Sequence, residues 1–195
     1  MSNPVSLTNL GPADRHRAVA GGFADVVAAA KNWHAPTPVA GWEAIDVVAH
    51  LVEWFPAFLA AGGVELPAGP SVHSDPAGAW RAQADAVQAL LDDEQRAAEQ
   101  FTHPYAGTHQ LDNAIDRFYT ADVFMHTWDL ARATGVDPNL DPDFCTVLVD
   151  GMESIDELLR SSGQYGPRIP VPDNSDPMAR LMGFIGRDPN WKQPT

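Results

Sequence analysis

Apolar side chains recur at intervals of three and four residues along most of this chain, and this spacing restricts its fold more than any other feature. Such spacing is typical of helices that bury one apolar face, whereas half-buried strands show strict alternation. Five long helices are predicted, followed by one short helix. Their approximate limits are residues 13–33, 41–61, 75–100, 111–134 and 141–159 for the long helices, and 176–185 for the short one.

Prolines and glycines mark the ends of these predicted helices. Asp75 precedes Pro76, which is the arrangement expected of an N-cap followed by a proline in the first turn. Gly135 follows the fourth helix and is suited to end it. Pro56 lies inside the second helix and is expected to bend or break it, because proline lacks the amide hydrogen that a helix needs.

Helices joined by short loops favour an all-α fold, namely an antiparallel four-helix bundle with additional C-terminal helices. Only residues 168–171 have the composition of a strand, and residues 101–110, which contain His103 and His109, are predicted to form a loop. The chain has 195 residues without a repeat or a low-complexity tract, and this length is typical of one domain. Residues 1–195 are therefore predicted to form a single domain.

Charge and cysteine content exclude several classes of function. The chain has 12 Lys and Arg against 26 Asp and Glu, a net charge of −14, which disfavours binding to nucleic acids and to anionic membranes. The single cysteine, Cys145, cannot form an internal disulfide. No leader pattern opens the sequence, and no uncharged apolar run reaches the roughly 18 residues that span a bilayer. A cytoplasmic monomer or homodimer is expected.

Charged residues interrupt the apolar face of the fourth predicted helix. At about 100° per residue, Asp122, His126 and Asp129 fall within this face. A buried carboxylate costs on the order of several kcal/mol unless it is paired, hydrogen-bonded or bound to a metal. Asp122 and His126 are four residues apart, a spacing that lets one helix supply two ligands to one ion. The face otherwise contains Leu111, Ile115, Phe118, Tyr119 and Met125.

The second helix contains a third candidate ligand. His50 lies at the border of a wide apolar face, about 40° beyond Trp54. A histidine at such a border can project into a groove between helices. This pattern favours one divalent metal ion bound by His50, Asp122 and His126, with Asp129 contacting a ligand or an arginine instead of the metal.

Other interpretations of the same residues are open. Asp122 would equally be stabilised by an ion pair with Arg15 or Arg17. His126 would equally be a core histidine with ordinary hydrogen bonds, and His50 a surface histidine. In that case the chain would be a bundle without a metal.

Several segments of the chain resemble a known family. The second predicted helix and the loop before it are similar to the corresponding motif of the DinB-like superfamily. More narrowly, they resemble the metal-binding domain of mycothiol-dependent maleylpyruvate isomerases and their actinobacterial relatives. The similarity spans nearly the whole chain and is most specific over residues 126–131. The similar segments are residues 33–42, 46–52, 122–135, 165–167, 171–172 and 186–191.

This resemblance implies a DinB-like four-helix core that holds a divalent metal, usually zinc. The ligands that it implies are His50, Asp122 and His126. The middle ligand is His in many DinB-like proteins and Glu in the isomerases, so Asp122 is a departure with a shorter reach. Three protein ligands leave one position open, and in relatives that position takes the sulfur of a low-molecular-weight thiol such as mycothiol.

The function implied is that of a metal-dependent thiol S-transferase or isomerase acting on a small electrophile. The thiol cosubstrate would be the nucleophile, and no side chain of this chain would be a catalytic residue. The maleylpyruvate isomerases have a separate C-terminal domain, whereas most of the about 60 residues after Gly135 are predicted to be bundle or tail. The resemblance is therefore not taken to imply maleylpyruvate isomerase activity itself. The alternatives are a metal-dependent hydrolase, with His103 or His109 as general base, and a small-ligand or metal-binding protein without catalytic activity.

Overall fold

The computed structural model describes residues 5–161, 163 and 165–194. Over these residues the fold is helical apart from one two-stranded sheet, so the predicted all-α class is confirmed. A 3-10 turn (Leu7–Asn9) precedes the first helix, and a π-helix (Ile115–Thr120) lies between the fifth and sixth. The helices are α1 (Pro12–Ala29), α2 (Ala44–Ala61), α3 (Pro76–Asp92), α4 (Glu94–Ala97), α5 (Leu111–Ala114), α6 (Ala121–Thr134), α7 (Pro142–Glu153), α8 (Asp156–Ser161) and α9 (Pro177–Phe184).

Four helical segments form the bundle: α1, α2, α3, and the continuous run from α5 through the π-helix to α6. Helices α1 and α2 each pack against both α3 and α6, which places α1 and α2 at opposite corners. His16 near the start of α1 is hydrogen-bonded to Gln88 near the end of α3, and Phe23 packs on Trp80 nearer the start of α3. Helices α1 and α3 therefore run antiparallel.

A bend or a break was expected at Pro56, and the break is absent, since helix α2 continues through this residue. Proline removes one backbone hydrogen bond. However, Phe55 and Leu59 on either side of it are fully buried, and their packing stabilises the helix. The helix begins at Ala44, after a capping box in which Glu43 and Asp46 satisfy each other's backbone amides.

Residues 100–110 contain a β-hairpin where a loop was predicted. Strands β1 (Gln100–His103) and β2 (Gly107–Gln110) pair antiparallel, with Phe101 opposite His109. Phe101 is the one buried residue in the two strands. The expected strand at residues 168–171 is also wrong, since this segment lies against α9, where the amide of Ile169 donates to the carbonyl of Gly183.

The predicted helix caps are confirmed. Asp75 accepts a hydrogen bond from the amide of Gly78 at the start of α3, and Gly135 ends α6 with a φ of 76°. The third predicted helix is shorter than expected, because Asp93 interrupts it and caps the separate helix α4. The fifth predicted helix is likewise divided, into α7 and α8.

Helix α2 is long and apolar enough to cross a membrane by length and composition alone, with a mean hydropathy of 1.5 over 18 residues. It also carries Asp46 and Glu53. In the fold it packs against α3 and α6, and seven of its residues are buried in the bundle. Its apolar character therefore contributes directly to the core.

Candidate metal centre

Three side chains converge between α2 and α6: His50 from α2, and Asp122 and His126 from α6. One potential ligand atom from each lies within 4.8 Å of the others. Nε2 of His50 is 3.2 Å from Oδ2 of Asp122, and Nε2 of His126 is 3.5 Å from Oδ1 of the same carboxylate. The fold thus brings together the three residues that the sequence pattern singled out.

The π-helix before α6 helps to set the face that α6 presents to α2. A π-helix holds more residues per turn than an α-helix, so it changes the rotation of the helix that follows. Tyr119 in the π-helix lies flat on Phe55 of α2, with ring centroids 4.0 Å apart. Asp122 and His126 follow on the same side. On α2, Asp122 contacts His50 and Trp54, and His126 contacts His50. As the chain advances from Tyr119 to Asp122, its contact on α2 moves back from Phe55 to His50. The two helices therefore run antiparallel.

Two tryptophans line the cluster. The ring of Trp42, in the loop before α2, lies 5.2 Å from the ring of His50 and 5.8 Å from that of His126, nearly parallel to the latter. The indole N–H of Trp54 donates a hydrogen bond to Oδ2 of Asp122 over 3.0 Å. One tryptophan therefore contacts the histidines, and the other orients the carboxylate.

The three candidate ligands differ in exposure. The exposed fraction of the side chain is 9% for His126, 19% for Asp122 and 31% for His50. The accessible side of the cluster is therefore at His50. Trp42, which is partly exposed, lies beside it.

Asp129 contacts a candidate ligand and an arginine at once, so both of its predicted roles occur together. Nδ1 of His126 donates to Oδ2 of Asp129 over 2.9 Å. Arg187 donates to both oxygens of Asp129, from Nε at 3.0 Å and from Nη2 at 3.2 Å. Because Nδ1 of His126 carries the hydrogen in this bond, its Nε2 is directed at Asp122 with a lone pair available to a metal.

The electrostatic field at the cluster favours positive charge near Nε2 of His126. Burial by itself raises the pKa of Asp122, but the charge of His126 and the hydrogen bonds from His50 and Trp54 outweigh it, so the pKa is lowered. Burial by itself lowers the pKa of His126, but Asp122 and Asp129 outweigh it, so the pKa is raised. A field that holds a proton at this nitrogen also attracts a metal cation.

The donor set fits a divalent metal. Two imidazole nitrogens and a carboxylate oxygen are common ligands of zinc, with bonds of about 2.0–2.2 Å. Two ligands of a tetrahedral ion with such bonds are separated by roughly 3.3–3.6 Å. Each histidine lies close to this distance from Asp122, His50 at 3.2 Å from Oδ2 and His126 at 3.5 Å from Oδ1. One ligand atom from each of the three residues lies within 4.8 Å of the others, so side-chain rotation would bring the three atoms to one ion.

The predicted arginine alternatives for Asp122 are not what the fold contains. Arg15 forms an ion pair with Asp116, and Arg17 forms one with Asp92. Among the described residues, the hydrogen bonds and ion pairs of Asp122 are with two histidines and a tryptophan. Its charge is therefore not already neutralised by a guanidinium.

The two loop histidines lie on the hairpin and do not join the cluster. His103 stacks on Phe58, with ring centroids 4.3 Å apart, and its Nδ1 accepts from the amides of Tyr105 and Ala106. His109 donates from Nε2 to the carbonyl of Ala106. These contacts account for both rings structurally.

Four residues that contact or influence the candidate site were not predicted from the sequence. Trp42, in the loop before α2, lies beside His50 and His126, and Trp54, on α2, contacts Asp122, but neither was among the predicted site residues. Burial, and to a lesser extent the charge of Asp122, raise the pKa of the Tyr165 phenol to about 12. No local sequence pattern indicates a role for Arg187, since its partner Asp129 is 58 residues away.

The family model of the mycothiol maleylpyruvate isomerase N-terminal domain matches residues 16–131, more than half of the chain. The chain belongs to this family. The predicted resemblance to the mycothiol-dependent isomerases is thereby confirmed. The matched range includes His50, Asp122, His126 and Asp129, and it ends before Arg187.

Two relatives of this family member come from Mycobacterium tuberculosis. They are the uncharacterized proteins MT0763 of strain CDC 1551 / Oshkosh and Rv0738 of strain ATCC 25618 / H37Rv. Each is 34% identical over 70 residues, which is 35% of this chain and 38% of the relative. The chain therefore matches well under half the length of these curated relatives, whose names state no function. No solved structure matches the chain.

Proposed function

We propose that this chain is a metal-dependent S-transferase or isomerase of zinc type that uses a low-molecular-weight thiol to modify a small electrophile. Mycothiol is the thiol that the name of its family supplies. The observation that carries the proposal is the convergence of His50, Asp122 and His126 around one point, with an accessible side at His50.

His50, Asp122 and His126 would hold the ion. When bound, it would act as a Lewis acid that stabilises the thiolate form of the cosubstrate, which is the form that attacks electrophiles. Two neutral imidazoles and one carboxylate supply a single negative charge. This donor set leaves a net positive charge at a divalent site, which favours an anionic sulfur as a further ligand.

The chain's own residues would bind and orient the cosubstrates. Trp42 offers an aromatic surface on the accessible side, beside both histidines. Trp54 holds the carboxylate of Asp122 in place through its N–H. The single cysteine, Cys145, is fully buried in α7, and burial, with the nearby acidic residues, raises the pKa of its thiol to about 12. A reactive thiol would therefore come from a cosubstrate.

The first test is the metal content of protein purified without a histidine tag. We expect one equivalent of divalent metal per chain, lost in the His126→Ala variant. His73→Ala is a matched control, because His73 is an exposed histidine outside the cluster, and it is expected to retain the metal.

The second test is thiol consumption in the presence of a panel of small electrophiles. The proposal expects metal-dependent consumption of mycothiol, abolished by His126→Ala and retained in His73→Ala. Metal-loaded protein that consumes no thiol with any electrophile would contradict the transferase function. Turnover of ester or amide substrates without added thiol would instead indicate a metal-dependent hydrolase.

A further inference from the structure

Arg187 is connected to the candidate metal centre through two successive contacts. Its Nε and Nη2 donate to the two oxygens of Asp129, and Oδ2 of Asp129 accepts from Nδ1 of His126. The exposed fraction is 1% for the side chain of Asp129 and 16% for that of Arg187. Both contacts are therefore largely protected from water.

Arg187 belongs to a different part of the chain from the candidate ligands. It lies outside residues 16–131, which match the family model, in the C-terminal segment, residues 165–194. The amide of Arg187 donates to the carbonyl of Met182, and the guanidinium of Arg160 donates to the carbonyl of Phe184. The first bond lies within the segment and the second joins it to α8, whereas the contact of Arg187 with Asp129 joins it to α6. The surroundings of the candidate ligands are therefore built from two parts of the chain.

The geometry of the Arg187 contact matters for the orientation of His126. A carboxylate held by one partner can rotate about its side-chain bonds, whereas a guanidinium that binds both oxygens fixes its plane. A fixed Asp129 orients the imidazole of His126 and keeps the hydrogen on Nδ1. Outer partners of this kind orient ligands at metal sites generally.

We propose that Arg187 is a positioning residue for the metal centre, and that metal binding is coupled through Asp129 to attachment of the C-terminal segment. This inference rests on the proposed metal site. Because coupling between two equilibria is reciprocal, loss of Arg187 weakens metal binding, and bound metal strengthens attachment of the segment.

The direct test is zinc affinity, measured by competition with a chromophoric chelator on metal-free protein. Arg187→Met is expected to lower the affinity about 10-fold or more, since loss of an outer partner typically costs roughly 10–100-fold. Arg187→Lys keeps the charge without the two-pronged geometry, so it recovers only part of the loss. Arg180→Met changes an exposed arginine of α9 and is the matched control, with affinity unchanged.

A double-mutant cycle separates positioning from general stabilisation of the fold. If Arg187 acts through Asp129, Arg187→Met adds little further loss of zinc affinity in an Asp129→Asn background. Additive losses would contradict this route. Circular dichroism and urea unfolding of each metal-free variant establish that the affinities refer to folded protein.

The reciprocal test is made first on the unmodified chain, so its main outcome does not depend on any variant folding. Zinc is expected to slow hydrogen exchange of the amides of residues 181–187, and to have no such effect in Asp129→Asn. Equal exchange with and without zinc, in protein that binds zinc, would overturn the coupling and leave the proposed function standing. Failure of the unmodified chain to bind zinc would overturn the proposed function and this inference together.

Discussion

The indole N–H of Trp54 donates a hydrogen bond to Oδ2 of Asp122 across the interface between α2 and α6. The same oxygen lies 3.2 Å from Nε2 of His50, one turn earlier on α2. Two side chains of one helix therefore hold one carboxylate of the other. This arrangement fixes the orientation of the carboxylate among the candidate ligands.

Replacement of Trp54 by phenylalanine removes this hydrogen bond and keeps an aromatic ring. We expect zinc affinity to fall about 10-fold, because outer partners of a ligand contribute roughly 10–100-fold. The free energy of unfolding of metal-free protein should fall by about 1.5–3 kcal/mol, the usual range for a hydrogen bond to a charged group. Chelator competition and urea unfolding measure the two effects. Trp33→Phe, outside the cluster, is the control, and equal zinc affinity of Trp54→Phe and the unmodified chain would contradict the prediction.

Replacement of Asp122 separates its charge from its length. Asp122→Asn removes the negative charge of the donor set, so we expect zinc affinity to fall by more than the roughly 100-fold that an outer partner can cost. Asp122→Glu keeps the carboxylate and lengthens its reach by one methylene, and it is expected to retain zinc binding. Competition titrations of both variants provide the comparison. Zinc binding by Asp122→Asn that equals binding by Asp122→Glu would exclude the carboxylate as a ligand.

His16 makes the stability of the fold depend on pH. Burial lowers its pKa from the ordinary 6.5, and the hydrogen bond to Gln88 only partly opposes this. The unfolded chain therefore binds a proton more readily than the folded one. The contribution of His16 is complete above the unfolded pKa and is lost as the pH falls through it toward the lower folded value.

The measurement is urea unfolding between about pH 8 and pH 5, a range that spans the ordinary histidine pKa, with a chelator present. His16→Gln should lose less stability on acidification than the unmodified chain does. His73→Gln, at an exposed position, should follow the unmodified chain. Identical slopes for His16→Gln and His73→Gln would show that His16 does not contribute to the pH dependence.

Gly62 lies at the end of α2 beside the hairpin. A Cβ atom there would come within 2.1 Å of the buried ring of Phe101, so we expect Gly62→Ala to lower the free energy of unfolding by about 1–3 kcal/mol. Gly21 in α1 has no atom within 4 Å of an added Cβ. Gly21→Ala should therefore raise the free energy of unfolding by roughly 0.5–1 kcal/mol. Urea unfolding of both variants tests the pair, and destabilisation of similar size in both would refute it.

Rules that depend on neighbouring residues predicted most of the helices. They were wrong where contacts with distant residues decided the local conformation. The caps at Asp75 and Gly135 were predicted because capping depends on residues within one turn. The hairpin around Phe101 was not predicted, because four-residue strands with one buried residue show no alternation. At Pro56 the local rule predicted a bend or a break, but the helix continues, and burial of the neighbouring Phe55 stabilises it.

The candidate site shows the same division. His50, Asp122 and His126 were predicted together, because two of them are polar residues on an apolar face and four positions apart. Whether Asp122 pairs with an arginine or with histidines could not be predicted, since both are chemically reasonable partners. The contact of Asp129 with Arg187 was also beyond sequence reasoning, because no pattern relates residues so distant in the chain.

The sequence by itself determined the helices, most of their limits, and the spacing that places Asp122 and His126 on one face, because each depends on neighbours within a few residues. The tertiary structure decided which side chains meet. Packing of α2 against α6 and the return of the C-terminal segment depend on many weak contacts between distant residues. Only their sum places Trp54 on Asp122 and Arg187 on Asp129.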